Sequence, residues 1–133
     1  MRTTKANPKE VHPPVGTYSH AVRVEGGEAT WIYISGQVAL DAEGNLVAPN
    51  DLRAQTEQVF ENLKAILEAN GATFDDVVKI TTFLTTLDDL DGMREVRSRY
   101  LPKEPPASTA VQISALVLPD AVIEIEAVAV IAS

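Results

Sequence analysis

The sequence predicts an α+β domain with element order β-β-β-α-β-α-β-β, its two helices lying on one face of a mixed sheet. Three observations carry that reading. Asn50 to Asn70 holds apolar residues at helical spacing. Val77 to Leu87 and Val122 to Ile131 are rich in β-branched residues. Finally, only one further helix is legible, so the second sheet face stays uncovered although it is substantially apolar, which argues for a closed, symmetric oligomer.

Taken in order, Met1 to Pro14 is polar and rich in proline, and is expected to be an extended, flexible N-terminal arm. Residues 15–133 are then a single domain. His20 to Val24 and Trp31 to Val38 flank Glu25-Gly26-Gly27-Glu28 and read as a hairpin. Leu40 to Val47 contains the turn Asp41-Ala42-Glu43-Gly44-Asn45, with a short third strand expected after it. The first helix follows Pro49, capped at Asn50 or Asp51, and ends at Asn70-Gly71. Leu52, Val59, Phe60, Leu63, Ile66 and Leu67 share its buried face.

In the next strand Val78, Ile80, Thr82 and Leu84 share a face. The second helix starts among Asp88, Asp89 and Asp91, carries Arg94, Arg97 and Arg99 toward its end, and stops before Pro102, a charge order that suits its dipole. Pro105 to Ser133 closes the chain as two strands joined by a Pro-Asp turn. In the last strand Ile123, Ile125, Ala127, Ala129 and Ile131 face one way, and Val122, Glu124, Glu126, Val128 and Val130 the other. Glu124 and Glu126 therefore sit among apolar neighbours and require partners or a chemical role.

Composition excludes several functions. Eleven Lys and Arg oppose nineteen Asp and Glu, a net charge of -8, so a phosphate backbone is repelled and nucleic acid is not an expected partner. With no cysteine there is no disulfide, thiolate metal site or cysteine nucleophile, which fits a reducing cytoplasm. No apolar run is long enough for a membrane span and the start lacks a secretory core, so the expectation is a cytoplasmic protein without a membrane partner. His12 and His20 are the only histidines and are too far apart for a helical ligand pair, so no metal is expected. Ser35 lies in Ile-Ser-Gly-Gln without a nucleophile elbow. What remains is a carboxylate on an apolar strand, whose surroundings favour its neutral form: Glu124 fits either acid-base work or an interface ion pair with an arginine, whereas Glu126 fits the ion pair.

Five stretches in order, VGTYSHAV, YISGQVALDAEGNLV, QTEQVFENLKAILEANGATFDDVVKITTFLTTLDD, the helix before Pro102, and PPAST with LPDAVIEIEAVAV, resemble the RidA/YjgF family of enamine and imine deaminases, also known as L-PSP endoribonucleases. The resemblance spans about Val15 to Ala132. It implies a chorismate-mutase-like fold, a homotrimer, small-molecule ligands in clefts between subunits, and cofactor-free hydrolysis of 2-imino acids to 2-keto acids and ammonia. It also implies that Glu124 places the attacking water, and that Tyr18 and Ser35 line the substrate pocket together with Arg94, Ser108, Thr109 and Ala110. Three of these depart from the deaminase pattern. Ser108 stands where the substrate-binding arginine is expected, Ala110 replaces a cysteine, and Arg94 occupies the position of an asparagine. Removing a desolvated arginine from a carboxylate costs about 2 to 5 kcal/mol, roughly 30- to several-thousand-fold in transition-state binding. The sequence thus leaves open a deaminase of altered substrate preference, a trimeric ligand-binding or regulatory protein that has lost the reaction, and a ribonuclease, which the acidic charge disfavours.

Overall fold

A computed structural model describes residues 1–133. Its strands are β1 (Arg2–Ala6), β2 (Ala21–Gly26), β3 (Ala29–Gln37), β4 (Val77–Leu84), β5 (Ala107–Gln112) and β6 (Ile123–Ala132), and its helices are α1 (Leu52–Ala69) and α2 (Leu90–Tyr100). They form one six-stranded sheet in the order β1-β2-β3-β6-β4-β5. Every pairing is antiparallel except β4 with β5, whose parallel connection is made by α2. The fold class is the expected α+β arrangement of two helices on a mixed sheet.

The helical stripe forms as its spacing dictates. Leu52, Val59, Phe60, Leu63, Ile66 and Leu67 are all buried, against Ile32, Ile34, Ile80, Leu84, Ile123 and Ile125 of the sheet. Asp51 caps α1 by accepting the Ala54 N–H at 3.0 Å. At the other end Gly71, at φ 75°, lets the Ala72 N–H reach Leu67 O at 2.9 Å and its own N–H reach Glu68 O at 3.1 Å, which closes the helix as a Schellman motif. The Phe60 ring stacks on Tyr100 of α2 with centroids 5.1 Å apart, fixing the helices side by side.

Four expectations need correction. The N-terminal arm is not free: β1 pairs along β2, Arg2 reaches Glu25 at 3.1 Å, and Val11 and His12 are buried. A polar strand suits a sheet edge, where one side of its backbone stays hydrated. The short strand after Leu40 is only a single bridge, Leu40 to Leu46. The element order is met because β1 supplies the third strand instead. The closing strands are not a hairpin, since β4 lies between β5 and β6. Lastly, a register shift between Val77 and Lys79 turns Val77 inward and leaves Val78 exposed, while Ile80, Thr82 and Leu84 stay buried.

The face opposite the helices is bare in the single chain. Trp31 and Tyr33 on β3 are 43% and 49% exposed, and Val111 on β5 is 41% exposed. All six residues of β5 are exposed, unusual for a strand containing Val and Ala.

Candidate functional site

β3 and β6 lose register between Ile34 and Gln37, so β3 carries one extra residue at Ser35-Gly36 opposite Glu126. The bulge bends this end of β3 away from the ladder and opens a cleft of about 630 Å³. Tyr18, Ser35, Gly36, Val117, Leu118 and Glu124 contribute to its lining. Gly36 leaves room for the Glu124 carboxylate, since a Cβ at that position would stand 2.5 Å from Glu124 Oε2 and 2.8 Å from Cδ. The Glu124 carboxylate therefore lies directly over the strand backbone.

Glu124 is half-buried and makes no ion pair. Loss of hydration, with a smaller contribution from the nearby Glu126 charge, holds its pKa above the ordinary carboxylate range. Glu126 is exposed, and within the chain it has no arginine partner. Ser35 is fixed on both sides: its N–H donates to His20 O at 2.8 Å and its hydroxyl donates to Ser19 O at 2.7 Å. Its hydroxyl oxygen keeps lone pairs for a donor in the cleft. The Tyr18 hydroxyl accepts the Val15 N–H at 3.3 Å, which closes the segment before β2 against the cleft.

The remaining expected site residues lie elsewhere in the chain. Arg94, Ser108 and Ala110 line a second cleft of about 400 Å³ between α2 and β5. Because β5 alternates, Thr109 faces the opposite side of the sheet, where its hydroxyl accepts from Lys79 Nζ at 2.7 Å. Arg94 stands 3.8 Å from Asp91, a pair open to water. The second cleft also contains Arg97, which has no ion pair, and no carboxylate lines it. Sequence reasoning passed over Arg97 because a cation near a helix end is already explained by the dipole. The signal available was its spacing, one turn after Arg94 and hence on the same side of α2.

No group of three His, Asp or Glu side chains is placed to hold a metal ion. No helix is long and apolar enough to cross a membrane.

Comparison with known proteins adds a second line of evidence. The family model described as Endoribonuclease L-PSP matches residues 9–131. A RutC family protein of Pyrococcus abyssi is 42% identical over 116 residues, 87% of each chain. The mouse 2-iminobutanoate/2-iminopropanoate deaminase is 39% identical over 116 residues, 87% of this chain and 82% of the mouse protein. Among solved structures, RidA from an Antarctic Psychrobacter is 41% identical and superposes with a TM-score of 0.85, covering 96% of this chain and 99% of the other.

Proposed function

The chain belongs to the Endoribonuclease L-PSP family, also called RidA/YjgF, and from that premise we propose that it hydrolyses reactive imines or enamines of small acids to carbonyl compounds and ammonia. The observation that carries the reading is Glu124: an unpaired carboxylate, partly dehydrated, facing a cleft beside Ser35 and Tyr18. As the carboxylate it takes a proton from water while the water oxygen bonds to the imine carbon and the C=N π electrons move to nitrogen. Returning that proton to nitrogen gives the carbinolamine; the carboxylate then takes the hydroxyl proton and passes it to the amino group, so that the C–N bond breaks and ammonia leaves as the carbonyl forms. Every atom and charge balances without a cofactor. Deaminase relatives such as the mouse protein support the substrate class.

The active unit in this reading is a cytoplasmic homotrimer. Its formation covers Trp31, Tyr33 and the exposed β5, and sets the α2–β5 cleft of one subunit against the Glu124 cleft of the next. Arg97, assisted by Arg94, then receives the substrate carboxylate that Ser108 cannot neutralise. The acidic chain makes RNA an unsuitable partner. Ser108 favours one competing reading, a trimer that binds small, weakly charged ligands through neutral hydrogen bonds without turning them over.

Ammonia release from freshly generated 2-imino acids separates the two. Wild type is expected to exceed Glu124→Ala by at least about 10²-fold, the usual contribution of a positioned acid-base group. Equal rates for the two proteins would leave only ligand binding.

A further inference from the structure

Behind the wall that carries Tyr18 and Ser35 lies a buried polar network that the proposed reaction does not use. The His20 ring is fully buried. Its Nε2 lies 2.7 Å from His12 O, an acceptor only, so Nε2 carries the hydrogen and Nδ1 presents a lone pair. That lone pair accepts from Gln37 Nε2 at 3.0 Å, and the same amide nitrogen donates to Ser35 O at 3.2 Å. Gln37 Oε1 is left buried with no partner. A buried amide oxygen without a donor is costly and uncommon in folded proteins.

We propose that Gln37 is a two-position amide latch, set by the protonation state of His20, that positions Ser35 and Tyr18 in the cleft. With His20 neutral, the amide nitrogen faces the ring and Ser35 O. When His20 gains a proton at Nδ1, that nitrogen becomes a donor and repels the Gln37 NH₂. Turning the amide about its last torsion then brings the unpartnered Oε1 to Nδ1 and withdraws the hydrogen bond from Ser35 O. The first position satisfies the amide nitrogen twice and leaves only Oε1 unpartnered, so it is preferred while His20 is neutral; the second leaves the NH₂ and Ser35 O unpartnered and is selected only by the charge-assisted bond from a protonated Nδ1.

The groups facing His20 allow this. From the N-terminal segment come the edge-on rings of His12 and Tyr18, at 4.8 and 5.8 Å, and Asn7, whose Oδ1 accepts the His20 N–H at 2.8 Å. From β3 come Ser35 and Gln37. No carboxylate holds the ring in its charged form. Burial is the leading reason that its pKa lies below the ordinary value, and the His12 charge adds to it. The latch is therefore in its first position while His20 is neutral and turns as the pH falls through the lowered pKa of the ring.

The test rests on the proposed function only for the importance of the cleft, and its readout does not need turnover. Side-chain and backbone NMR of the intact protein is followed from pH 8 downward to the onset of acid unfolding. The expected result is that His20 starts as the Nε2–H tautomer, and that the Gln37 NH₂ resonances and the Ser35 and Tyr18 amides move with the midpoint of the His20 ring. Gln37→Glu, which offers an acceptor in either position, should raise that midpoint by at least about one pH unit through its charge. Gln37 resonances that stay fixed while His20 titrates, or unfolding before they move, would overturn the latch. An unchanged His20 midpoint in Gln37→Glu would overturn it as well.

Discussion

A methyl group added at Gly36 tests how closely the proposed chemistry depends on the placement of one carboxylate. In Gly36→Ala the new Cβ would lie 2.5 Å from Glu124 Oε2, 2.8 Å from Cδ and 3.0 Å from Cγ. Restoring van der Waals separation moves the carboxylate by roughly 1 Å. The obstructed atoms belong to a side chain, and Gly36 does not have a positive φ, so the backbone tolerates alanine. A displaced rotamer costs about 0.5 to 1.5 kcal/mol, a small fraction of the stability of such a domain. The same displacement costs about 10²-fold in rate when the moved group must meet a positioned water. Coupled measurement of ammonia release, with thermal unfolding in parallel, should show activity falling by about that factor while the midpoint drops only a few degrees. In a Glu124→Ala background the extra methyl should have no further effect, because its obstacle is gone. Activity in Gly36→Ala within threefold of wild type would refute the reasoning.

Three other outcomes follow from the same geometry. Ser108→Arg places a guanidinium in the α2–β5 cleft and should increase turnover of 2-imino acids, read as a lower KM; an unchanged KM would show that this cleft does not meet the substrate carboxylate. Arg97→Gln should raise the KM for anionic substrates about 30-fold or more and leave neutral analogues unaffected, whereas Arg99→Gln, whose side chain is paired with Glu95 at 2.7 Å, should do neither. Because the folded-state pKa of Glu124 lies above its unfolded value, its stabilising contribution is present below the unfolded pKa and lost as pH rises through the folded one. Glu124→Gln should accordingly unfold at higher temperature than wild type at pH 7, and the gain should shrink toward pH 4.

Local periodicity revealed most of the fold because burial follows it directly. The α1 stripe and the β6 alternation of Ile123, Ile125, Ala127 and Ala129 both appear in the structure as buried faces. Long-range pairing carries no such signature. Nothing within Val122–Ile131 indicates that β6 enters the sheet between β3 and β4, and the polar β1 becomes a strand only because β2 offers it an edge. Bulges are equally silent, and a one-residue shift was enough to expose Val78. The site divides in the same way. Glu124 was visible as a charge interrupting an apolar strand, and Ser35 as part of a short motif. Arg97 and the His20–Gln37 pair were not, since their roles depend on neighbours 11 or more residues away, across α2 and β5 or along the bulged end of β3.

The central claim is that the site is shared, with Glu124 from one subunit and Arg97 from the next, and mixing inactive subunits tests it most directly. Glu124→Ala and Arg97→Gln chains are co-refolded in equal amounts and assayed for ammonia release with 2-imino acid well below the wild-type KM, where Arg97→Gln alone is nearly inactive. In a cyclic trimer with one site at each interface, about one quarter of the sites should regain both residues, and activity should recover to about that fraction of wild type. A mixture as inactive as its two components would contradict the shared site.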